Sequence, residues 1–103
     1  MTGFVRVARA DEIQAGEKKI VEVDGLLVVV VNLGGRFYAL EDVCTHDGGP
    51  LGEGELQESQ IICPRHGAHF DVRTGAALTL PAFEPVPTYQ VRVENGDVLV
   101  EAY

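Results

Sequence analysis

Tryptophan is missing from this 103-residue chain, methionine occurs once and cysteine only twice. Two cysteines allow one disulfide at most, so the chain is not one of the small scaffolds that disulfides staple together. Cations are scarce as well: 8 lysine and arginine residues face 16 aspartate and glutamate residues, a formal charge of -8. A field of that sign repels phosphate backbones and anionic lipids, and the cations are scattered rather than clustered, which argues against nucleic acid or a membrane surface as partner. Long apolar runs are lacking. The longest, Leu26 to Val31 followed by Asn32 and Leu33, falls far below the roughly 20 residues that cross a bilayer as helix and reads as a buried strand. The opening MTGFVRVARADEI has no charged and then apolar leader. We therefore expect a cytoplasmic protein with reduced cysteines, for which metal binding or catalysis is a better reading than a disulfide.

What the chain does have is glycine, 12 residues of it, with 5 prolines. That density suits tight turns and close backbone approaches, and so a β-rich fold rather than a helix bundle. Asp24-Gly25, Gly34-Gly35 and Asn95-Gly96 each separate two strand-like segments, and each allows the positive φ that a two-residue hairpin turn demands. Phe4 to Val7 alternates as a strand, while the segment from Ala10 to Lys18, interrupted by Gly16, reads as a turn. Between Glu41 and Pro87 the strands shorten and Gly and Pro punctuate the chain. The expectation is an all-β, single-domain antiparallel sandwich or barrel that carries its chemistry on a loop-rich insert. No phosphate loop, nucleophile motif or general-base pair is present, and so short a chain leaves little room for a substrate pocket. This predicts a carrier rather than an enzyme.

The chemistry concentrates in that insert, where Cys44-Thr45-His46 and Cys63-Pro64-Arg65-His66 form two matching clusters separated by the sixteen residues Asp47 to Ile62. Each supplies a thiolate and an imidazole, and neighbouring Gly and Pro bring backbone amides close while keeping the loops stiff. Two Cys/His pairs drawn from two cysteines and three histidines are not explained as incidental core residues. Tetrahedral zinc remains open, although a typical finger groups its cysteines and its histidines separately. A hydrolytic Cys/His pair also remains, but it leaves the duplication unexplained.

The string C-T-H-x16-C-P-x-H-G resembles the signature of Rieske [2Fe-2S] proteins, and the soluble Rieske ferredoxins are similar over essentially the whole chain. That resemblance implies one [2Fe-2S] cluster in which Cys44 and Cys63 bind one iron while His46 and His66 bind the other. It also implies a β-sandwich or barrel with a small inserted cluster-binding subdomain, approximately residues 41–83, and a proline loop, Leu80-Pro81-Ala82-Phe83, packed over the cluster. Two ferric ions, two sulfides and two thiolates balance to a neutral oxidised centre, whereas four thiolates leave it doubly negative, so histidine ligation eases reduction. In Rieske proteins of respiratory and photosynthetic complexes, each cluster loop carries a further cysteine, and a Ser and a Tyr hydroxyl donate to cluster sulfurs. Here Gly49 and Arg65 stand for those cysteines, and Ala68 and Phe70 for the hydroxyl residues. The sequence thus resembles the low-potential group, near the lower end of the Rieske range at about -150 mV.

The partners so implied are an NAD(P)H-dependent flavin reductase as donor and a terminal oxygenase of the ring-hydroxylating dioxygenase type as acceptor, served by a monomeric carrier. A small Rieske subunit of an assimilatory nitrite reductase and a zinc-stabilised interaction module are the alternatives. Among the remaining residues, His69 reads as a non-ligand, Arg65 as a surface cation or as a residue that aids docking or tunes the local field of the cluster, and Glu53, Glu55 and Glu58 as a solvated loop in preference to a steering patch for a cationic partner. Leu51, Phe70 and Phe83 are expected to pack around the cluster and exclude water, with the cysteines more buried than the His46 and His66 rings.

Overall fold

A computed structural model describes residues 3–45, 48–65 and 67–101. Among the described residues ten strands make up the regular structure: β1 Phe4–Arg9, β2 Lys18–Val23, β3 Leu26–Leu33, β4 Arg36–Glu41, β5 Leu56–Gln57, β6 Gln60–Ile62, β7 His69–Asp71, β8 Thr88–Tyr89, β9 Val91–Glu94 and β10 Asp97–Glu101. One 3-10 turn, Ala10–Glu12, interrupts them, so the Ala10 to Lys18 segment turns without becoming an α-helix.

All three dipeptide hairpins form. Val23 pairs with Leu26, Leu33 with Arg36 and Glu94 with Asp97, leaving two residues in each turn. Both turn residues have positive φ in every case, from 51° at Asp24 to 100° at Gly35, as the right-handed twist of the flanking strands requires.

The strands build three antiparallel sheets, ordered β1-β10-β9, β2-β3-β4-β8 and β5-β6-β7. The four-stranded sheet is the middle layer. One face, with Val28, Val30 and Ala39, packs against Val98 and Val100 of the first sheet. The opposite face, with Val29, Val31 and Leu40, packs against Ile61, Phe70 and Val72 around the third sheet. This two-sided burial explains the unbroken valine run: Val28, Val29, Val30 and Val31 are all fully buried, where a strand wetted on one face would alternate. Leu26 and Leu27, next to the Asp24-Gly25 turn, depart from the buried-strand expectation, being 43% and 53% exposed and belonging to neither core.

Candidate metal centre

The second core joins the middle sheet to the cysteine-bearing loops. Cys44 and Cys63 are buried in it together, beside Leu51, Ala68, Phe70, Ala82 and Val86, and no disulfide links them.

Each thiol sits at the head of a loop closed in the same way. The Cys44 carbonyl accepts from Gly48 N–H at 2.7 Å, and Cys44 N–H donates to the Gly49 carbonyl at 2.7 Å. The Cys63 carbonyl accepts from Gly67 N–H at 3.0 Å, and Cys63 N–H donates to the Ala68 carbonyl at 2.7 Å. Partners four and five residues on are thus used twice, and the fourth residue is a left-handed glycine both times, with φ of 76° at Gly48 and 75° at Gly67. A side chain there would strain the loop.

The loops are held from outside by contacts remote in sequence. Asp42, just before the first loop, accepts from Leu51 N–H at 2.8 Å and Gly52 N–H at 2.5 Å. The second loop joins β6 to β7, with Ile62 paired to His69. Gly54 lies so close to the Ile62 carbonyl that an added Cβ would fall 1.8 Å from its oxygen. Nothing local announces this requirement, since it arises where two loops meet. Around β7, burial raises the Asp71 carboxyl but is outweighed by the Arg73 backbone N–H and guanidinium, with Thr74 N–H adding to them, so it lies below the usual carboxylate range.

A strap formed by residues 78–87 crosses the loops. It is stitched by Leu78 N–H to the His69 carbonyl, His69 N–H to Thr79 Oγ1, Thr45 Oγ1 to the Glu84 carbonyl at 2.6 Å, and Val86 N–H to the Gly75 carbonyl. Ala82 and Val86 point into the core that contains both cysteines. Leu51 and Phe70 are fully buried there as expected, but Phe83 is not: it is 82% exposed. The strap turns the small Ala82 inward, which leaves the adjacent aromatic ring facing solvent.

His46 and His66 lie outside the described residues, as does the expectation that their rings are partly exposed. His69, half-buried on β7, has Nδ1 2.8 Å from Gln60 Oε1. Among the described residues no three His, Cys, Asp or Glu side chains gather into a metal-binding group. The two thiols still suit a metal-bound thiolate. Both sulfurs occupy equivalent places in one core, and the stiff loops fix them as donors. A hydrolytic reading fits poorly, because neither sulfur is offered to solvent.

Residues 3–90 match the Rieske [2Fe-2S] domain family. The 3-phenylpropionate/cinnamic acid dioxygenase ferredoxin subunit of Escherichia coli strain K12 is 42% identical over 76 residues, covering 73% of this chain and 72% of that protein. The solved ferredoxin of carbazole 1,9a-dioxygenase from Nocardioides aromaticivorans IC177 is 40% identical, with a TM-score of 0.93 over 97% of this chain and 98% of that one. A solved complex of reduced oxygenase and oxidized ferredoxin in carbazole 1,9a-dioxygenase contains a chain that is 36% identical, with a TM-score of 0.91 over 96% of this chain and 93% of that one.

Proposed function

Because the chain belongs to the Rieske [2Fe-2S] domain family, we propose that it is the one-electron ferredoxin of a ring-hydroxylating dioxygenase system. It would take electrons from an NAD(P)H-dependent flavin reductase and pass them to a terminal oxygenase. The observation that carries the reading is the pair of equivalent loops, each presenting a buried cysteine with a histidine two or three residues further on. Relatives that are themselves dioxygenase ferredoxins, one of them solved with its oxygenase, support it.

In this reading Cys44 and Cys63 hold one iron and His46 and His66 the other, within an insert of approximately residues 41–83. The bound cluster supplies a one-electron couple at low potential. Leu51, Phe70, Ala82 and Val86 exclude water from the thiolate side, and the glycine loops fix the sulfur positions against rearrangement. Neither Ala68 nor Phe70, both fully buried, offers a side-chain hydroxyl to stabilise added negative charge, which favours a potential low in the Rieske range. The -8 charge favours a partner with a cationic surface. A monomer working in the cytoplasm belongs to the same reading; no helix of the described residues is long and apolar enough to cross a membrane.

Metal analysis and low-temperature EPR after anaerobic reduction test the assignment. Two irons per chain and a rhombic signal are expected; stoichiometric zinc with a silent spectrum would defeat it. His46→Ala and His66→Ala should each lose iron, whereas His69→Ala should retain it, and iron loss confined to the His69 variant would overturn the ligand set.

A further inference from the structure

The most exposed large apolar side chains among the described residues, Phe83 at 82% and Leu80 at 70%, lie three residues apart on the strap, with Leu78 at 45% on its approach. Their exposure is not that of a fraying segment. Backbone and threonine bonds at Leu78, Thr79, Glu84 and Val86 stitch the strap at both ends, and Ala82 is buried between the two exposed residues. An aromatic ring held outward on a fixed backbone loses little freedom when a partner covers it, which is the property of an interface anchor. Beside it a recess is lined by Thr45, Pro81, Phe83 and Glu84.

Charge gives the direction of approach. Residues 41–87 contain eight of the sixteen carboxylates but only Arg65 and Arg73 of the eight cations, so three quarters of the net negative charge lies on the segment that carries the cysteine loops. Arg73 is itself paired with Asp71. The opposite sheet is closer to balance, with Arg6 and Arg9 both set against Asp97. A partner with a cationic rim is therefore drawn toward the strap rather than toward the far sheet.

We propose that Phe83, flanked by Leu80, is the anchor that seats in an apolar, cation-rimmed recess of the terminal oxygenase. This rests on the carrier reading above. The Thr45 Oγ1 bond to the Glu84 carbonyl ties the anchor to the residue next to Cys44, so a partner gripping Phe83 is held beside the candidate metal centre. Charge governs the encounter and the buried ring governs residence, so removal of the ring should act chiefly on dissociation.

The test uses the intact, reduced protein and a purified ring-hydroxylating terminal oxygenase that the wild type reduces, with rates followed by stopped flow against oxygenase concentration. Phe83→Ala should raise the apparent Kd about tenfold, equivalent to about 1.4 kcal/mol, a usual size for loss of an aromatic anchor. Phe83→Leu should recover most of the affinity. Val93→Ala, an exposed apolar change on the sheet away from the cysteine loops, should change nothing. Iron content, visible spectrum and midpoint potential should match wild type in every variant, since a ring in solvent supports no core. Unchanged affinity of Phe83→Ala, or a loss seen only in reduction by the reductase, overturns the anchor while leaving the carrier reading intact. A wild-type dimer that Phe83→Ala dissociates would assign the patch to a second copy and overturn it equally. If the wild type reduces no such oxygenase in a representative panel, the carrier reading fails and the proposed occupant with it.

Discussion

A serine introduced at position 68 tests how the second cysteine loop sets the redox potential. Ala68 is fully buried beside both cysteines, so the new hydroxyl in Ala68→Ser has no water to turn to. Two loop carbonyls already hold a partner, the Ala68 carbonyl accepting from Cys63 N–H and the Cys63 carbonyl from Gly67 N–H, so a hydroxyl that bonded either would share it. In the carrier reading, a sulfur of the cluster that Cys63 would ligate is the acceptor offered to the hydroxyl. A bond to that sulfur strengthens when reduction adds negative charge. If the reduced state gains about 1–2 kcal/mol more than the oxidised state, the one-electron midpoint rises by roughly 40–90 mV, since 59 mV corresponds to about 1.4 kcal/mol. The parent should lie near -150 mV, at about the lower end of the Rieske range.

Protein-film voltammetry measures both midpoints, and thermal unfolding supplies an independent readout. A hydroxyl that finds the sulfur leaves stability nearly unchanged. One that finds no partner costs about 1–3 kcal/mol, or about 4–8 °C in Tm for each kcal/mol in a domain of roughly this size. A raised midpoint with a steady Tm supports the sulfur bond. An unchanged or lowered midpoint refutes it, and a fallen Tm in that case identifies an unsatisfied hydroxyl. A parent midpoint above about +100 mV contradicts the low-potential assignment itself.

Gly54→Ala should destabilise the protein by about 1–3 kcal/mol or more, because its Cβ overlaps the Ile62 carbonyl at 1.8 Å and must push β6 away; denaturant unfolding and iron content check this, and a variant as stable and as iron-rich as wild type would refute it. Asp71→Asn should remove a stabilisation that exists only while the carboxylate is ionised. The folded-state pKa is depressed by the Arg73 and Thr74 contacts against the opposing effect of burial, so the wild type's advantage is full above the ordinary carboxylate range of about 4 and declines as pH falls through the lower folded value. Urea midpoints of the two proteins compared between neutral and acid pH measure the difference, and a gap that widened in acid would reverse the sign of the argument.

Local chemistry was enough to place the hairpins. Asp24-Gly25, Gly34-Gly35 and Asn95-Gly96 specify turns with positive φ at both positions, and that preference acts within two residues. The Cys/His spacing likewise identified the loops that carry the candidate ligands, since both matched clusters are contiguous strings. The valine run from Val28 to Val31 announced burial but not its two-sided character, which exists only once sheets cover both faces of β3. Tertiary structure also decided what surrounds the thiols. Asp42 reaches the Leu51 and Gly52 amides, Gly54 meets Ile62, and Thr45 fastens Glu84 across 39 residues. Phe83 marks the boundary most clearly. Composition and position made it a cluster-packing residue, yet the strap buries Ala82 and sends the ring outward. Periodicity cannot resolve the facing of a side chain on an irregular segment, because no helix or strand repeat fixes it; the hydrogen bonds to other loops do.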